Sequence, residues 1–256
     1  AVAGGVRSVS ASNGLGATSG DTCVSSGAQL RLQNNVTIGA GETITIVGTG
    51  PGSTGALRNE SGNNAITDKV TLSGAATILS NTAATTLTLT GGVDITGGTV
   101  TFDGAGNTTL PAGTGNITAT AGTNGVTKLG TGTLTLAGTA GNYTGVTSFN
   151  AGIVDVGSLA DYGVASSLGA RLAAQETATG DGIGLVFRGG TLRYTGSTAQ
   201  STNRQIRLLN NANNTIEASG SNPAATLSFT FNGANINLFD TVGVRTLNLT
   251  GTNTGA

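Results

Sequence analysis

Residues 128–157 read KLGTGTLTLAGTAGNYTGVTSFNAGIVDVG. Residues 133–136 alternate threonine with leucine, and residues 147–149 and 153–156 form two further short segments, each after a cluster of glycine and asparagine. Period-two alternation with turn residues at intervals of roughly eight to twelve positions is typical of short β-strands. This stretch therefore predicts three strands that are joined by glycine-containing turns.

The threonine–leucine phrase of this stretch recurs along the chain. Copies or close variants of it begin at Thr43, Thr86, Thr133, Thr191 and Thr246. Such recurrence favours stacked units over a β-sandwich, because each unit buries its apolar side only against its neighbours. The sequence predicts an all-β fold, a right-handed parallel β-helix (a solenoid).

In such a coil leucine, valine and isoleucine face the interior, while threonine suits the pleated outer surface. The pattern places Leu134 and Leu136 inside, and likewise Leu247 and Leu249. About 20–25 residues per coil and a strand spacing of ~4.8 Å predict roughly 10–12 coils and a rod about 50–60 Å long.

We expect a single domain over residues 1–256, with an irregular first coil or cap at residues 1–27. Residues 158–178 break the strand pattern with more alanine, leucine and charge. They predict a loop excursion with a short helix at residues 166–176. Besides the three strands above, strands are predicted at residues 29–32, 36–38, 43–47, 70–72, 77–79, 85–90, 93–95, 99–102, 108–110, 117–119, 185–187, 191–194, 204–208, 215–218, 226–231, 235–239 and 245–250.

The composition excludes several classes of function. Charged residues make up 9% of the chain and the net charge is −1, so the sequence lacks the basic surface of a nucleic-acid-binding protein or of a protein that binds anionic membranes. No apolar run approaches the roughly 20 residues of a membrane-spanning helix. The apolar residues, 37% of the chain, fall in alternating pairs, which argues against disorder.

Cysteine, histidine and the acidic residues show no reactive grouping. Cys23 is the single cysteine and histidine is absent, so one chain offers no Ser–His or Cys–His pair and no nitrogen or sulfur metal site. Cys23 is expected to be buried, with an intermolecular disulfide as the alternative. The twelve acids are scattered, although stacking could bring Asp94 near Asp103. We therefore predict no catalytic residues, no cofactor and no metal site.

Two weaker patterns suggest binding sites. Residues 91–94 and 180–184 are faintly similar to a calcium-binding repeat, but turns in which aspartate accepts backbone N–H groups explain them better. Tyr143, Tyr162 and Tyr194 suit sugar stacking, but local packing is the expected role. The N-x-S/T triplets are expected by chance in a chain of this composition; they begin at Asn35, Asn59, Asn107, Asn116, Asn142, Asn213 and Asn248.

The phrases GTGTLTLAG at residues 130–138, NYTG at 142–145 and NAG at 150–152 resemble the autotransporter-associated β-strand repeat. Two departures are Ala137, where serine is usual, and a turn at residues 139–142 that is one residue longer. The recurrent positions of the repeat are matched by Gly130, Gly132, Thr133, Leu134, Leu136, Gly138, Tyr143, Thr144, Gly145, Thr147, Asn150, Ala151 and Gly152.

The resemblance implies a passenger-type β-helix of a secreted bacterial protein, located at the cell surface or outside the cell, and it implies no catalytic residues. The first hypothesis is a structural, rod-like building block. The alternative is an adhesin or carbohydrate-binding stalk whose excursion at residues 158–178 contacts a surface glycan or a host receptor. A polysaccharide-active enzyme is the third.

Both ends of the chain lack charged side chains over residues 1–6 and 247–256. Solenoid ends are usually covered by polar capping units, because unpaired strand edges invite another chain. The expected partners are therefore copies of this chain, or adjacent segments of a longer one, stacked head to tail into a filament. No nucleic acid and no membrane span are expected.

Overall fold

The computed structural model describes residues 1–16, 20–39, 41–176, 182–209, 212–230, 236–237 and 243–252. They form a parallel β-solenoid of about nine turns with almost no helix. The predicted all-β parallel β-helix is confirmed. Two short 3-10 turns, Pro51–Ser53 and Ala173–Gln175, are present beside the strands.

The strands are short, and most follow a glycine or asparagine turn. In chain order they are β1 (Val6–Val9), β2 (Thr22–Val24), β3 (Gln29–Leu32), β4 (Thr37–Ile38), β5 (Ile44–Gly48), β6 (Leu57–Asn59), β7 (Asn64–Ile66), β8 (Val70–Ser80), β9 (Thr86–Leu89), β10 (Val93–Asp94), β11 (Val100–Asp103), β12 (Asn107–Leu110), β13 (Ile117–Thr118), β14 (Val126–Lys128), β15 (Thr133–Leu136), β16 (Thr147–Phe149), β17 (Ile153–Val156), β18 (Leu185–Phe187), β19 (Thr191–Tyr194), β20 (Gln200–Thr202), β21 (Ile206–Leu208), β22 (Asn213–Ala218), β23 (Leu227–Phe229), β24 (Ile236–Asn237) and β25 (Thr246–Thr250).

Most strands lie on three faces, and β20 and β23 pair with each other in a separate two-stranded sheet. Face 1 carries β1, β3, β6, β11, β14, β16, β18, β21 and β24, and face 2 carries β4, β7, β9, β12, β15, β17, β19, β22 and β25. Face 3 carries β2, β5, β10 and β13. The long strand β8 pairs with β5 and β10 on face 3 and then with β6 and β11 on face 1, so it joins the two faces.

The predicted number of coils is too high because coil length varies more than we assumed. In a regular coil the chain returns to the same position of face 1 from Leu57 to Ile78, which lie opposite each other. The coil that contains the excursion returns from Phe149 only at Phe187, so it is nearly twice as long. The excursion accounts for this difference, because it uses residues without advancing the stack.

A column of large side chains fills the interior behind face 1. Phe149 and Phe187 stack within it, with ring centroids 4.5 Å apart and an interplanar angle of 18°. Burial of each large apolar side chain in such a column contributes about 1.5–3 kcal/mol to stability. The buried column consists of Leu30, Leu57, Ile78, Phe102, Lys128, Phe149, Phe187 and Leu208.

Lys128 is the charged member of this column. Its side chain packs between the rungs of Phe102 and Phe149, and its Nζ donates to the carbonyl oxygen of Gly130 at the corner. Burial lowers the pKa of Lys128 to about 8, and the charge of Asp103 opposes that shift. The alternating pattern of the sequence did not predict a lysine on the inside.

On face 2 the predicted facing holds in the middle of the chain, and at β25 it holds for Leu247, which packs against the core. Leu134 and Leu136 are buried, and Thr133 and Thr135, which alternate with them, are half-buried, as predicted. Leu249, however, is 75% exposed. Its strand β25 pairs with β22 on one side and is the outermost strand of its sheet among the described residues.

Strands near the start of the chain differ from the expected irregular coil. Two strands, β1 and β2, occur within residues 1–27, and they pair with β3 and β5. Cys23 is exposed, so its predicted burial is wrong. Thr22 and Val24 on either side of it are buried, and side chains alternate along a strand, so Cys23 faces outward.

Several further strands, β6, β7, β14 and β20, were not predicted at all. The predicted strands at residues 70–72 and 77–79 belong to the single strand β8. Residue 231 of the strand predicted at residues 226–231 lies outside the described residues. So do residues 235 and 238–239 of the strand predicted at residues 235–239.

Candidate functional site: the excursion at residues 158–178

Residues 158–178, called the excursion below, are described up to residue 176. The helix predicted at residues 166–176 is wrong: the described residues hold only the 3-10 turn Ala173–Gln175. Gly169 has a φ of 73°, which is incompatible with a helix. The N–H of Ala170 donates to the carbonyl oxygen of Tyr143 in the preceding coil (2.8 Å), so the backbone bonds to a neighbour rather than to itself.

The excursion is an inserted layer rather than a free arm. On one side, Ser166 N donates to the carbonyl oxygen of Gly141 at 3.2 Å. On the other side, Tyr162 N donates to Asn203 Oδ1 (2.9 Å), and Asn203 N donates to Asp161 Oδ1 (2.8 Å). The excursion therefore lies between the coil before it and the segment that contains β20.

Arg204, which follows β20, forms hydrogen bonds with several backbone carbonyl oxygens of the excursion. Its side chain is buried, and Nη1 donates to the carbonyl oxygen of Leu168 at 2.6 Å. Its Nη2 lies 2.7 Å from the carbonyl oxygen of Gly169, 3.2 Å from that of Val164 and 3.5 Å from that of Asp161. Burial lowers the pKa of Arg204, yet an arginine remains charged in a protein, so these carbonyl oxygens stabilise a buried cation.

A buried ion pair closes the far end of the excursion. Arg171 Nε and Glu176 Oε1 are 2.9 Å apart, and both side chains are less than a tenth exposed. The same carboxylate accepts the N–H of Gly184 at 3.0 Å, and Arg171 Nη1 donates to the carbonyl oxygen of Thr144 at 2.9 Å. Burial raises the pKa of Glu176, against the opposing effect of Arg171.

The three tyrosines serve packing and hydrogen bonding. Tyr143 and Tyr194 are fully buried, which confirms local packing for these two. The hydroxyl of Tyr143 bonds to Thr147 Oγ1 (2.8 Å), and burial raises its pKa to about 12. Tyr162 is half-buried; its hydroxyl accepts the N–H of Gln205 at 2.7 Å, and burial raises its pKa to about 12.

The outward surface of the excursion is mainly aliphatic. Val164 is 53% exposed and Leu172 is 49% exposed. Ala173 and Ala174 are exposed beside them. A groove next to this surface has a volume of about 370 Å³ and is lined by Thr123, Val146, Arg171, Ala174, Gln175 and Gly182.

The acidic residues show no grouping that would bind a metal. Among the described residues, no three His, Cys, Asp or Glu side chains come close enough to hold an ion. Asp94 lies on face 3 and Asp103 ends β11 on face 1, so stacking does not place these two on one face. The Oδ1 of Asp94 accepts the N–H of Thr96 (2.8 Å), as expected for a turn. Residues 180 and 181 of the other weak calcium pattern lie outside the described residues.

Asparagine has a structural role that the sequence patterns did not reveal. The side-chain oxygen of Asn107 accepts the N–H of Thr133, and that of Asn116 accepts the N–H of Ala140, each one coil further on. Asn59 is fully buried. These N-x-S/T asparagines therefore connect successive coils, because corner backbone groups need partners that a strand ladder does not supply.

Comparison with known proteins supports a surface protein. An adhesin named BmaC autotransporter, from Brucella suis biovar 1 (strain 1330), is 39% identical over 127 residues. The match covers 50% of this chain and 3% of that adhesin, so the chain spans a small part of its relative's length. The fold and this relative fit an autotransporter passenger repeat. No protein-family model and no solved structure matches the chain.

The passenger-type resemblance supports a cell-surface or extracellular location and a passenger or adhesin type of role. Within the residues that the structure describes, no helix is both long and apolar enough to span a bilayer.

Proposed function

We propose that the chain is part of a surface passenger of adhesin type, in which the solenoid is a rod and the excursion contacts a partner. The observation that carries this proposal is the adhesin relative, which is 39% identical over half of the chain. The solenoid supplies length: each coil adds about one strand spacing, ~4.8 Å, to the rod. The chain is then a non-catalytic protein.

The excursion is the best candidate for the contact surface. It presents Val164 and Leu172 to solvent, whereas a regular coil presents mainly threonine on its outer face. The Leu172 side chain lies beside Gly163, the neighbour of Val164, so the two form one aliphatic patch, and contiguous exposed apolar patches mark interaction sites. A surface glycan and a protein receptor are the two kinds of partner that this proposal covers.

Point substitutions test the proposal better than deletion, because the excursion is a layer between two coils. We expect Val164→Asp combined with Leu172→Asp to abolish binding of the purified chain to cultured animal cells or to a glycan array. Leu129→Asp is the matched control, since Leu129 is 46% exposed on a regular coil. Retained binding by the double variant, with unchanged circular dichroism, would place the contact elsewhere.

Catalysis is tested separately. We expect the wild-type chain to release no sugar from surface polysaccharides. Turnover that is lost when one acidic residue is replaced by its amide would show instead that the solenoid is an enzyme.

We also propose that the rod stacks end to end. Leu249 is exposed on β25, the outermost strand of face 2 within the described residues, and it lines a groove of about 170 Å³ together with Ile216, Ala218, Leu227, Phe229 and Thr250. A parallel strand edge beside an apolar groove suits the addition of another coil. Light scattering should show assembly at rising concentration, and Leu249→Asp should weaken it while Leu129→Asp does not. A strictly monomeric wild-type chain would contradict stacking.

A further inference from the structure

The excursion has a backbone shape that its own sequence does not explain. It is neither a helix nor a strand, and its backbone reverses at Gly163 and Gly169, which have φ of 76° and 73°. In this reversal the carbonyl oxygens of Asp161, Val164, Leu168 and Gly169 point towards one place. That place holds the guanidinium of Arg204, which comes from the next coil.

The chemistry of arginine suits this arrangement. A guanidinium presents five N–H donors in a rigid plane, so it can bond several oxygens from different directions at once. Buried carbonyl oxygens need such donors, because an unpaired buried polar group is costly. The buried carboxylate of Glu176 bonds to Arg171 and to the N–H of Gly184. The guanidinium of Arg204 bonds to the backbone carbonyl oxygens of the reversal.

We propose that Arg204 is a positioning residue that fixes the excursion in one shape and so presents Val164 and Leu172 in a binding-ready geometry. Val164 is held directly, through its carbonyl oxygen. Leu172 follows Arg171, whose carbonyl oxygen accepts the N–H of Gly163 at 2.8 Å. The presentation step rests on the proposed adhesive function, whereas the fixing of the backbone does not.

A fixed surface matters for binding because ordering a loop at the moment of contact costs free energy. If Arg204 orders the excursion beforehand, a partner meets a preformed surface. Loss of Arg204 then weakens binding although Arg204 itself is buried and touches no partner. A residue that acts only on overall folding would instead destabilise all coils together.

Hydrogen–deuterium exchange of the full chain tests the first step. In Arg204→Met we expect the amides of Gly163, Ser166 and Ala170 to exchange on the order of tenfold faster, while β15 and β17 keep their wild-type rates. Arg204→Lys should behave similarly, because one ammonium cannot reach all of these oxygens. Arg193→Met is the control: Arg193 lies on the outer side of β19 and should leave the excursion unchanged.

Binding to the same cells and glycan array tests the second step, with an expected loss on the order of tenfold in affinity for Arg204→Met. If the amides of the excursion exchange at wild-type rates in Arg204→Met, the proposal is overturned, whatever the effect on binding affinity. Faster exchange with unchanged binding overturns the presentation step, and the Val164 and Leu172 variants then show whether the adhesive function itself fails. If Arg204→Met unfolds the regular coils as well, Arg204→Lys decides between local and global action.

Discussion

The coil that runs from Lys128 to Phe149 and the next coil, from Phe149 to Phe187, differ in length and in how they are held. Each advances the stack by one rung, but the second uses nearly twice as many residues to do so. In the shorter coil, β14 and β15 pair with β16 and β17, and their carbonyl and N–H groups are satisfied by those ladders. In the longer coil the excursion is held by buried side chains, chiefly its own Arg171 and Arg204 of the following coil.

The comparison shows that a solenoid can add residues between two rungs only if something else satisfies the added backbone. A repeat supplies its own partners, because each coil pairs with a copy of itself. An insertion has no copy, so its buried carbonyl groups need donors from elsewhere. Here the buried side chains of Arg204 and Arg171 supply several of those donors.

The largest expected effect tests whether the interior column is continuous across the excursion. Phe187 stacks on Phe149 although the whole excursion lies between them in sequence. Replacing Phe187 with Ala should cost about 3–5 kcal/mol of unfolding free energy, as for other buried phenylalanines. Ser148→Ala, on the outer side of β16, is the control. Urea unfolding measures both; a small cost for Phe187→Ala would mean that the excursion uncouples the two parts of the rod.

The next test stays within the regular coil and compares adjacent residues. Leu136→Ala should cost about 2–5 kcal/mol, because a buried side chain leaves a cavity. Thr135→Ala, on the half-exposed outer side of the same strand, should change stability by no more than about 0.5 kcal/mol. Equal effects in thermal unfolding would contradict the assigned facing.

The regular coils are the part of the molecule that the sequence could predict. Strands β3, β18 and β19 have the predicted boundaries, because alternation and turn residues report local backbone geometry. The pattern did reveal the break at residues 158–178, but the coil count assumed one length for every coil and was therefore too high. Which residues lie opposite each other depends on the stack, and no local pattern contains that information.

The errors at single residues have the same physical origin. The predicted helix failed because residues 166–170 bond to the preceding coil. Cys23 was expected inside on the burial bias of its residue type, whereas its position in β2 turns it outward. The role of Arg204 was not visible either, since the carbonyl oxygens that it bonds belong to the excursion and lie far from it in sequence.

A third prediction concerns Lys128, a charged side chain at an interior position that apolar side chains fill in the neighbouring coils. Its pKa is lowered to about 8 by burial, whereas an unfolded lysine titrates near 10.4. Between these pH values the unfolded chain holds a proton that the folded protein has lost, so stability should rise with pH. Because the hydrogen bond from Nζ to the carbonyl oxygen of Gly130 is only partly buried, screening limits the expected rise to about 1–3 kcal/mol.

Chemical unfolding at a series of pH values from about 7.5 to about 10.5 would measure this rise. Lys128→Met should remove it. The raised pKa values of Tyr143 and Tyr162 act in the opposite sense above about pH 10, but they are common to both proteins and cancel in the difference. A Lys128→Met protein whose stability rises with pH as much as the wild type would assign the effect to another group.

The smallest expected effect comes from an ion pair on the outside of the regular coils, which contrasts with the buried pair in the excursion. Arg193 bonds Asp155 through both Nε and Nη2, the latter at 2.8 Å, and this hydrogen bonding raises the pKa of Arg193. The Arg193 side chain is 27% exposed and the Asp155 side chain 12%, so water and salt screen the pair only in part. A double-mutant cycle with Arg193→Met and Asp155→Asn should give a coupling of about 0.2–1 kcal/mol that shrinks as salt is added.

Glu176→Gln, which leaves Arg171 buried without its counterion, should cost about 3–5 kcal/mol locally. If the two pairs prove equally strong, burial is not what distinguishes the excursion from the coils around it.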